Sequence, residues 1–228
     1  MARPKRSQQH PDLQTAIKEV AREQIAEHGA ATLSLRAIAR ELNITAPAIY
    51  NYFPSRDELV TALIVDAYHS LAATLAEARD ANHEDHAASI IASASAYRSW
   101  ALTHPEQYGL IFSTPIPGYH APIEITGPAA AESMLVLIQV LDDAYQDGFL
   151  RLSEPSPALL TLLQPWADKL DYTGPLGVIH LALASWAQIH GLVSLELFGH
   201  FTPYPGNGDA KALFDTEIQT TAVRMVME

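Results

Sequence analysis

Residues 33–59 read LSLRAIARELNITAPAIYNYFPSRDEL, and this stretch decides the fold. Ser34 stands where a helix N-cap is favoured. Behind it, Ile38, Ala39 and Leu42 recur at the spacing of one helical face, so they predict a helix with one apolar side. The residues that follow, Asn-Ile-Thr, interrupt this spacing. The sequence therefore predicts a short helix that ends in a tight bend.

A second short helix is predicted directly after the bend, running to about Tyr52. Thr45 is placed to cap it, and Pro47 falls in its first turn, where the missing amide hydrogen removes only a donor that lacked a partner. Ile49 and Phe53 are four residues apart and are expected in the core. Two short helices joined by a bend, followed by a longer helix, are the layout of a helix-turn-helix DNA-binding element.

The longer helix is predicted to begin at a capping box, Ser-Arg-Asp-Glu at residues 55–58. In this motif the hydroxyl of Ser55 and the carboxylate of Glu58 satisfy each other's backbone amides. Arg56 then lies beside the positive end of the helix, where a phosphate would meet both the helix end and a guanidinium. We therefore predict that Arg56 binds the phosphate backbone of a nucleic acid.

Taken together, these residues are similar to the DNA-binding domain of the TetR family of transcriptional regulators. The similarity covers roughly residues 12–63 and rests above all on the run IYNYFPSRDEL at residues 49–59. In that family the second short helix ends in an aromatic run, followed by Phe-Pro-Ser, a basic residue and acidic residues. The resemblance implies a dimeric, all-helical, ligand-responsive DNA-binding regulator, more often a repressor.

The chemistry of the side chains suggests how DNA would be contacted. Small residues at Ala46 and Ala48 allow close approach and contact with thymine methyl groups, and Asn51 suits adenine. Arg36 matches the position at which some family members read a base from the preceding helix. The full predicted set is Arg36, Thr45, Ala46, Ala48, Tyr50, Asn51, Tyr52 and Arg56. The alternative for such residues taken singly is a half-buried aromatic or a solvated charge.

The charge distribution separates the two ends of the chain. Residues 1–60 hold eight Lys or Arg against seven Asp or Glu, whereas residues 61–228 hold six against nineteen, which gives the net charge of −12. An acidic body repels phosphates and discourages docking by the wrong face. We predict a DNA-binding domain over residues 1–57 and a helical effector-binding and dimerisation domain over residues 58–228. Residues 1–10 are predicted to be a flexible basic arm, lying along DNA or serving only as a solvated terminus.

Helical spacing without strand alternation predicts an all-α protein, with a three-helix head and a helical body. The first helix should end at Gly29. A long helix from Arg56 to about Ala81 should run from the head into the body. Further helices are expected at about 86–104, 128–148, 156–170, 174–199 and 209–227, with a proline-rich irregular loop at 114–128.

The resemblance also implies that the last two helices, about 174–199 and 209–227, pair with those of a second subunit. The spacing of Trp186, His190 and Gly191 resembles a subgroup with a Trp-His-Gly signature, in which Gly191 would let a partner helix approach closely. Trp186 and His190 as ordinary packing residues are the alternative. Two heads on one duplex must lie about 34 Å apart, so the DNA target should be roughly palindromic.

A small-molecule effector is the third predicted partner. An aromatic-rich set of residues flanking the proline-rich loop suggests an apolar, aromatic effector, although each member also suits a plain core position. The set is Tyr97, Trp100, Tyr108, Phe112, Met134, Tyr145, Trp166 and Trp186.

Other features bound the remaining alternatives. The chain has no cysteine, which excludes disulfides and fits a reducing cytosol, and its polar N-terminus lacks the pattern of a signal peptide. Residues 172–195 contain no charged side chain over a length that spans a bilayer, but we interpret them as a buried interface helix. His83 and His86 form a weak metal-like pair in a polar bend. We predict a cytoplasmic regulator without cofactor; a helical ligand-binding protein or metal-dependent enzyme without DNA affinity is the alternative.

Overall fold

The protein is all-helical, as the sequence predicts. The computed structural model describes residues 6–113, 115–201 and 209–227, with side chains from residue 13 to residue 225 within those ranges. These ranges contain no strand. A 3-10 helix, Ala30–Thr32, follows the first α-helix. The α-helices are α1 (Arg6–His28), α2 (Leu35–Glu41), α3 (Ala46–Tyr50), α4 (Arg56–Asp80), α5 (His86–Thr103), α6 (Pro105–Phe112), α7 (Ile123–Gln146), α8 (Pro157–Leu170), α9 (Leu176–Leu197) and α10 (Ala210–Met227).

The chain divides into two compact units. The head unit contains the chain up to Tyr68 together with His104–Ala129, and the body unit contains His69–Thr103 together with the chain from Ala130 onward. The boundary at Tyr68 falls inside α4, so this helix contributes to both units. The predicted functional division at residue 57 stays a prediction, since it concerns roles rather than packing.

The core of the head unit brings its first four helices together. Ile17 of α1, Ile38 of α2, Ile49 of α3 and Leu59 of α4 are each 0% exposed. Burying an aliphatic side chain of this size contributes roughly 1.5–3 kcal/mol, so each of these contacts stabilises the head unit appreciably. The predicted three-helix head, packed against the start of the long helix, is confirmed.

The bend between α2 and α3 has a specific backbone cause. Asn43 has a φ of 52°, in the left-handed region that asparagine tolerates better than most residues. The amide of Asn43 donates to the carbonyl of Arg40 at 3.2 Å, and the amide of Ile44 donates to that of Ala39 at 2.9 Å. This is the hydrogen-bond pattern of a Schellman motif, which ends a helix and turns the chain sharply.

The proline-rich region differs from the prediction. The predicted loop at 114–128 was too long, because α7 begins at Ile123, and α6 was not predicted at all. Pro105 occupies the first turn of α6, where proline favours a helix start rather than a break. Pro128 lies inside α7 and removes only the hydrogen bond to the carbonyl of Glu124. Glu124 is exposed, so water can donate to this carbonyl instead.

The N-terminus also differs. Residues 6–10 of the predicted flexible arm are the first turns of α1, and residues 1–5 lie outside the described residues. Helix α1 ends where predicted, before Gly29, whose φ of 81° is readily adopted only without a side chain.

In the body unit, an ion pair ties three helices together. Arg98 of α5 and Glu196 of α9 form a two-pronged pair in which the Nε–Oε2 distance is 2.7 Å. Both side chains are only 15% exposed. The guanidinium of Arg98 also lies 5.7 Å from the ring centre of Phe214 in α10. These contacts fix the two C-terminal helices against α5.

Three helices, α4, α7 and α9, are long and apolar enough to cross a membrane by length and composition alone. Their apolar residues supply much of the helical cores, for example Leu63 in the head unit and Ile138 and Ile179 in the body unit. The buried share of the most apolar 18-residue stretch is 50% in α4, 28% in α7 and 39% in α9, so packing within the chain covers part of this hydrophobic surface.

Candidate nucleic-acid interface

Helix α3 divides its residues between the core and an open surface. Ile49 is 0% exposed and Phe53 is 4% exposed, as predicted for the core. Ala46 and Asn51 are exposed, and Tyr50 is 41% exposed. Of the eight predicted DNA contacts, Arg36, Thr45, Ala46, Tyr50 and Asn51 are exposed, whereas Ala48, Tyr52 and Arg56 are half-buried. The helix therefore presents a small, uncharged and accessible face.

The predicted helix caps have three different outcomes. The hydroxyl of Ser34 accepts from the amide of residue 37 at 3.4 Å, which confirms the cap of α2. The hydroxyl of Ser55 accepts from the amide of Glu58 at 3.1 Å, which confirms that half of the capping box. Thr45 occupies the N-cap position of α3, but its hydroxyl makes no capping bond, so the predicted side-chain cap is wrong. The backbone carbonyl of Thr45 accepts the first helical bond instead, which leaves its exposed hydroxyl available to another partner.

The Lys and Arg side chains that the structure describes on α1 and α2 fall into two groups. Lys18 and Arg22 of α1 pair with Asp66 of α4, at 2.8 and 3.1 Å. Arg36 and Arg40 of α2 are exposed and form no ion pair with any residue that the structure describes. They are four residues apart and therefore lie on the same face of the helix. The sequence contained this spacing, but only Arg36 was predicted as a contact.

Arg56 is held within the protein. One of its terminal nitrogens donates to the carbonyls of Ala30 and Ala31, at 2.8 and 3.2 Å, and the other lies 3.5 Å from Asp57. Its Nε is buried and has no hydrogen-bond partner among the described residues. Arg56 thus ties the 3-10 helix to the start of α4, so any phosphate contact would be additional to a positioning role.

The predicted effector residues are distributed over both units. Tyr97, Trp100, Met134, Tyr145, Trp166 and Trp186 belong to the body unit, whereas Tyr108 and Phe112 belong to the head unit. In the head unit, Phe112 contacts Tyr108 with ring centres 5.1 Å apart. In the body unit, Trp100 is 2% exposed and donates to the hydroxyl of Ser70 at 3.0 Å. Because Tyr97, Trp100 and Tyr108 are buried, they have core roles whether or not an effector also touches them.

A polar and aromatic cluster surrounds His190 in the body unit. The hydroxyl of Tyr97 lies 3.0 Å from Nδ1 of His190, and the Trp186 ring stacks on the imidazole with centres 5.2 Å apart. Burial lowers the pKa of His190. The predicted pairing of Trp186 and His190 on one helical face is confirmed, and it brings the imidazole against α5.

We expect the body unit to lose stability as the pH falls below 6.5. The pKa of His190 is lowered from 6.5 by burial, whereas the unfolded chain titrates at the ordinary value, so just below 6.5 only the unfolded state binds the proton. The contribution is fully present above 6.5 and is lost as the pH falls toward the folded pKa. Urea unfolding of the protein and of His190→Gln should show a weaker acid dependence in the variant; identical dependence would contradict this assignment.

The two histidines of the metal-like pair contact different residues. Nδ1 of His83 is 2.8 Å from the carbonyl of Asp80, and Nε2 of His86 is 2.9 Å from Asp147. Across the described residues no group of three or more His, Asp or Glu side chains is arranged to hold a metal ion. The structure therefore gives the metal-dependent alternative no site among these residues.

Comparisons with known proteins agree with this geometry. Residues 17–63 match the family described as bacterial regulatory proteins, tetR family, and residues 90–221 match the tetracyclin repressor-like C-terminal domain. The HTH-type transcriptional regulators Rv1816 of Mycobacterium tuberculosis and Mb1846 of Mycobacterium bovis are each 37% identical over 201 residues, 86% of this chain and of theirs. The crystal structure of SCO4313, described as a regulatory protein, is 38% identical with a TM-score of 0.79 and covers 95% of this chain and 98% of that one.

An exposed α3 on a helix-turn-helix head defines a DNA-binding transcriptional regulator. The chain belongs to the TetR family. A more distant member from Rhodococcus RHA1, 15% identical with a TM-score of 0.63 over 93% of this chain and 96% of its own, shares the fold. The family predicted from residues 49–59 is thus confirmed.

Proposed function

We propose that this transcriptional regulator is a cytoplasmic homodimeric repressor that a small molecule releases from a roughly palindromic operator. One observation carries the proposal: α3 buries Ile49, while Ala46, Tyr50 and the C-cap residue Asn51 are exposed. Such a helix has no bulky charged side chain to hold it away from the bases, so it suits the major groove. In this proposal residues 1–57 bind DNA and residues 58–228 bind the effector and the second subunit.

The proposed contacts divide into base and phosphate contacts. Arg36 binds guanine and Asn51 binds adenine, since both side chains can form paired hydrogen bonds to those bases. Thr45 binds a phosphate through its hydroxyl, which makes no capping hydrogen bond. Ala46 and Ala48 contact thymine methyl groups. Ala48 is half-buried, so only the exposed part of its methyl group makes this contact. Tyr50, Tyr52 and Arg56 contact the backbone, and Arg56 also holds the 3-10 helix in place.

The proposed dimer contact lies on α9 and α10. Helix α9 has an uncharged stripe of exposed or half-buried residues that recur at helical spacing. These residues are Ala184, Ala187, Gly191 and Leu195. A Cβ atom built on Gly191 would meet nothing within 4 Å, so the chain itself does not require glycine there. The open space is explained if a partner helix packs against Gly191. Helix α10 adds the exposed apolar side chains Leu213 and Val223.

The proposed effector binds the body aromatics, with the cluster of Tyr97, Trp186 and His190 as its polar part. The hydroxyl and imidazole are already paired at 3.0 Å, so an effector that competes for either group would shift α5 relative to α9. Coupling between effector and DNA sites is typically about 1–3 kcal/mol, which changes operator occupancy by about 5- to 150-fold. Trp100, Met134, Tyr145 and Trp166 complete the body set, and Tyr108 and Phe112 remain candidates in the head unit.

The DNA-reading role is tested by comparing Arg36→Ala with Arg56→Ala. We expect Arg36→Ala to weaken operator binding by about 1–3 kcal/mol and to leave random DNA nearly unchanged, since a base contact is lost. Arg56→Ala should weaken all sequences similarly and also lower the melting temperature, because the carbonyls of Ala30 and Ala31 lose their donor. The measurements are dissociation constants on selected and random duplexes at several salt concentrations.

Lys169→Ala provides the control, because it removes an exposed cation from the body unit. It should change neither affinity nor melting temperature appreciably. Equal losses on selected and random DNA for Arg36→Ala would contradict the base contact. An affinity that does not fall with salt would contradict DNA binding altogether and favour a helical small-molecule-binding protein.

A further inference from the structure

A groove of the body unit has features that the DNA-binding role does not use. It has a volume of about 360 Å3 and lies between α9, α10 and the segment from Arg151 to Ser153. Small-molecule sites typically have volumes of about 300–1,000 Å3, so the groove is large enough for a small ligand. We call it the body groove.

Two arginines line the body groove. The body unit holds six Lys or Arg against sixteen Asp or Glu, so cations are scarce in it. Three of the six are paired: Arg79 with Asp80, Arg98 with Glu196, and Lys211 with Asp215. Arg151 and Arg224 are exposed and have no ion-pair partner among the described residues, yet both line the same groove. Two unpaired guanidiniums on one groove attract an anion, and a carboxylate fits their planar donor geometry best.

A buried hydroxyl lies at the same place. Ser185 of α9 lines the body groove and is 8% exposed, and its Oγ is buried without a hydrogen-bond partner among the described residues. A buried hydroxyl without a partner costs free energy, and a ligand oxygen would relieve that cost. Gln188 and Thr221, also in the lining, bond to each other at 2.9 Å and hold α9 to α10. The groove therefore combines a fixed wall, an unsatisfied donor and two unpaired cations.

We propose that the body groove binds an aliphatic carboxylate. Arg151 and Arg224 bind the carboxylate, and rotation about one torsion lets the Ser185 hydroxyl donate to it. The hydrocarbon chain packs on Leu152, Leu181 and Met225, and none of the described lining residues is Phe, Tyr or Trp, which favours an aliphatic over an aromatic ligand. The body groove shares no lining residue with the aromatic effector set, so the carboxylate would be a second ligand of the body unit. Only its role as an effector rests on the proposed function. Ala184 belongs both to the groove and to the proposed dimer stripe, so a bound ligand would touch residues beside the second subunit.

Calorimetric titration of the full-length protein with sodium octanoate, octan-1-ol and octylammonium tests the site without DNA. We expect octanoate to bind once per chain, octanol to bind about 10-fold more weakly or worse, and octylammonium not to bind. Arg151→Gln and Arg224→Gln should each weaken octanoate by about 10-fold, since each removes one charged partner. Lys169→Gln, the same charge change at an exposed residue outside the groove, should have no effect.

Equal affinity for octanoate and octanol would overturn the inference. A loss of octanoate affinity in Lys169→Gln as large as the loss in the two arginine variants would also overturn it. If octanoate does not bind and Arg224→Gln dissociates the dimer, the arginines pair with the second subunit, and the inference is also overturned. These failures leave the DNA-binding proposal standing, because no DNA is present. Octanoate binding by a protein that fails the salt-dependent DNA assay supports the groove and overturns the proposed function instead.

Discussion

Ala187→Glu is expected to convert the dimer into monomers and to reduce operator affinity by about 100-fold or more. Ala187 is exposed and lies between Ala184 and Gly191 on the uncharged stripe of α9, so the substitution leaves the core of each chain intact. In a twofold dimer the two introduced carboxylates enter the same interface, without an arginine or lysine on the stripe to pair with them. A monomer reads only half of a palindromic operator and loses the contacts of the second α3.

Sedimentation velocity gives the direct measurement for this substitution. The wild-type chain of 24.9 kDa should sediment as a dimer and Ala187→Glu as a monomer with the same helical content by circular dichroism. Ala187→Ser is the matched control, because it keeps a small side chain and adds no charge, and it should remain dimeric. A dimeric Ala187→Glu protein with normal operator affinity would move the subunit contact away from this face of α9.

The points at which the helices of the head unit begin and end were predictable from local sequence. Ser34 caps α2 and Gly29 ends α1 because both effects act within one helical turn, where sequence neighbours are also spatial neighbours. The apolar series of α4 was predictable for the same reason, since Leu63 and Leu71 recur at the helical period and are buried. The family resemblance at residues 49–59 then added what no periodicity contains, namely which surface we propose to face DNA.

Proline produced the main errors. A proline ends a helix at one position and begins one at another, and the sequence alone does not show which neighbours will satisfy the remaining carbonyls. Pro105 begins α6 and Pro128 is accommodated within α7, so the region predicted as loop is partly helical.

Long-range partners could not be predicted either. The donor role of Arg56 toward Ala30 crosses 26 residues of chain, and no local pattern indicates it. Similarly, the aromatic composition of the body does not distinguish a core ring, such as Trp100, from a pocket wall. The body groove escaped prediction because its lining comes from three separate segments.

Glu196→Ala is expected to destabilise the body unit by about 2–4 kcal/mol. The substitution leaves the guanidinium of Arg98, 15% exposed, without its carboxylate, and removing one partner of a buried pair costs more than the pair itself contributes. Contact with the Phe214 ring retains only a small part of the lost interaction. Urea unfolding followed by circular dichroism measures the change.

Two further variants separate the loss of stability caused by the unpaired Arg98 from the effect of removing any carboxylate. In Arg98→Met with Glu196→Leu, both charges are replaced by apolar side chains, so most of the stability should return, because no unpaired charge remains buried. Asp215→Ala breaks the exposed pair with Lys211, whose side chains are 65% and 39% exposed, and should cost at most about 0.5 kcal/mol. If Glu196→Ala were as mild as Asp215→Ala, the Arg98 pair would not fix α9 and α10 against α5. The dimer face on those two helices would then depend on apolar packing alone.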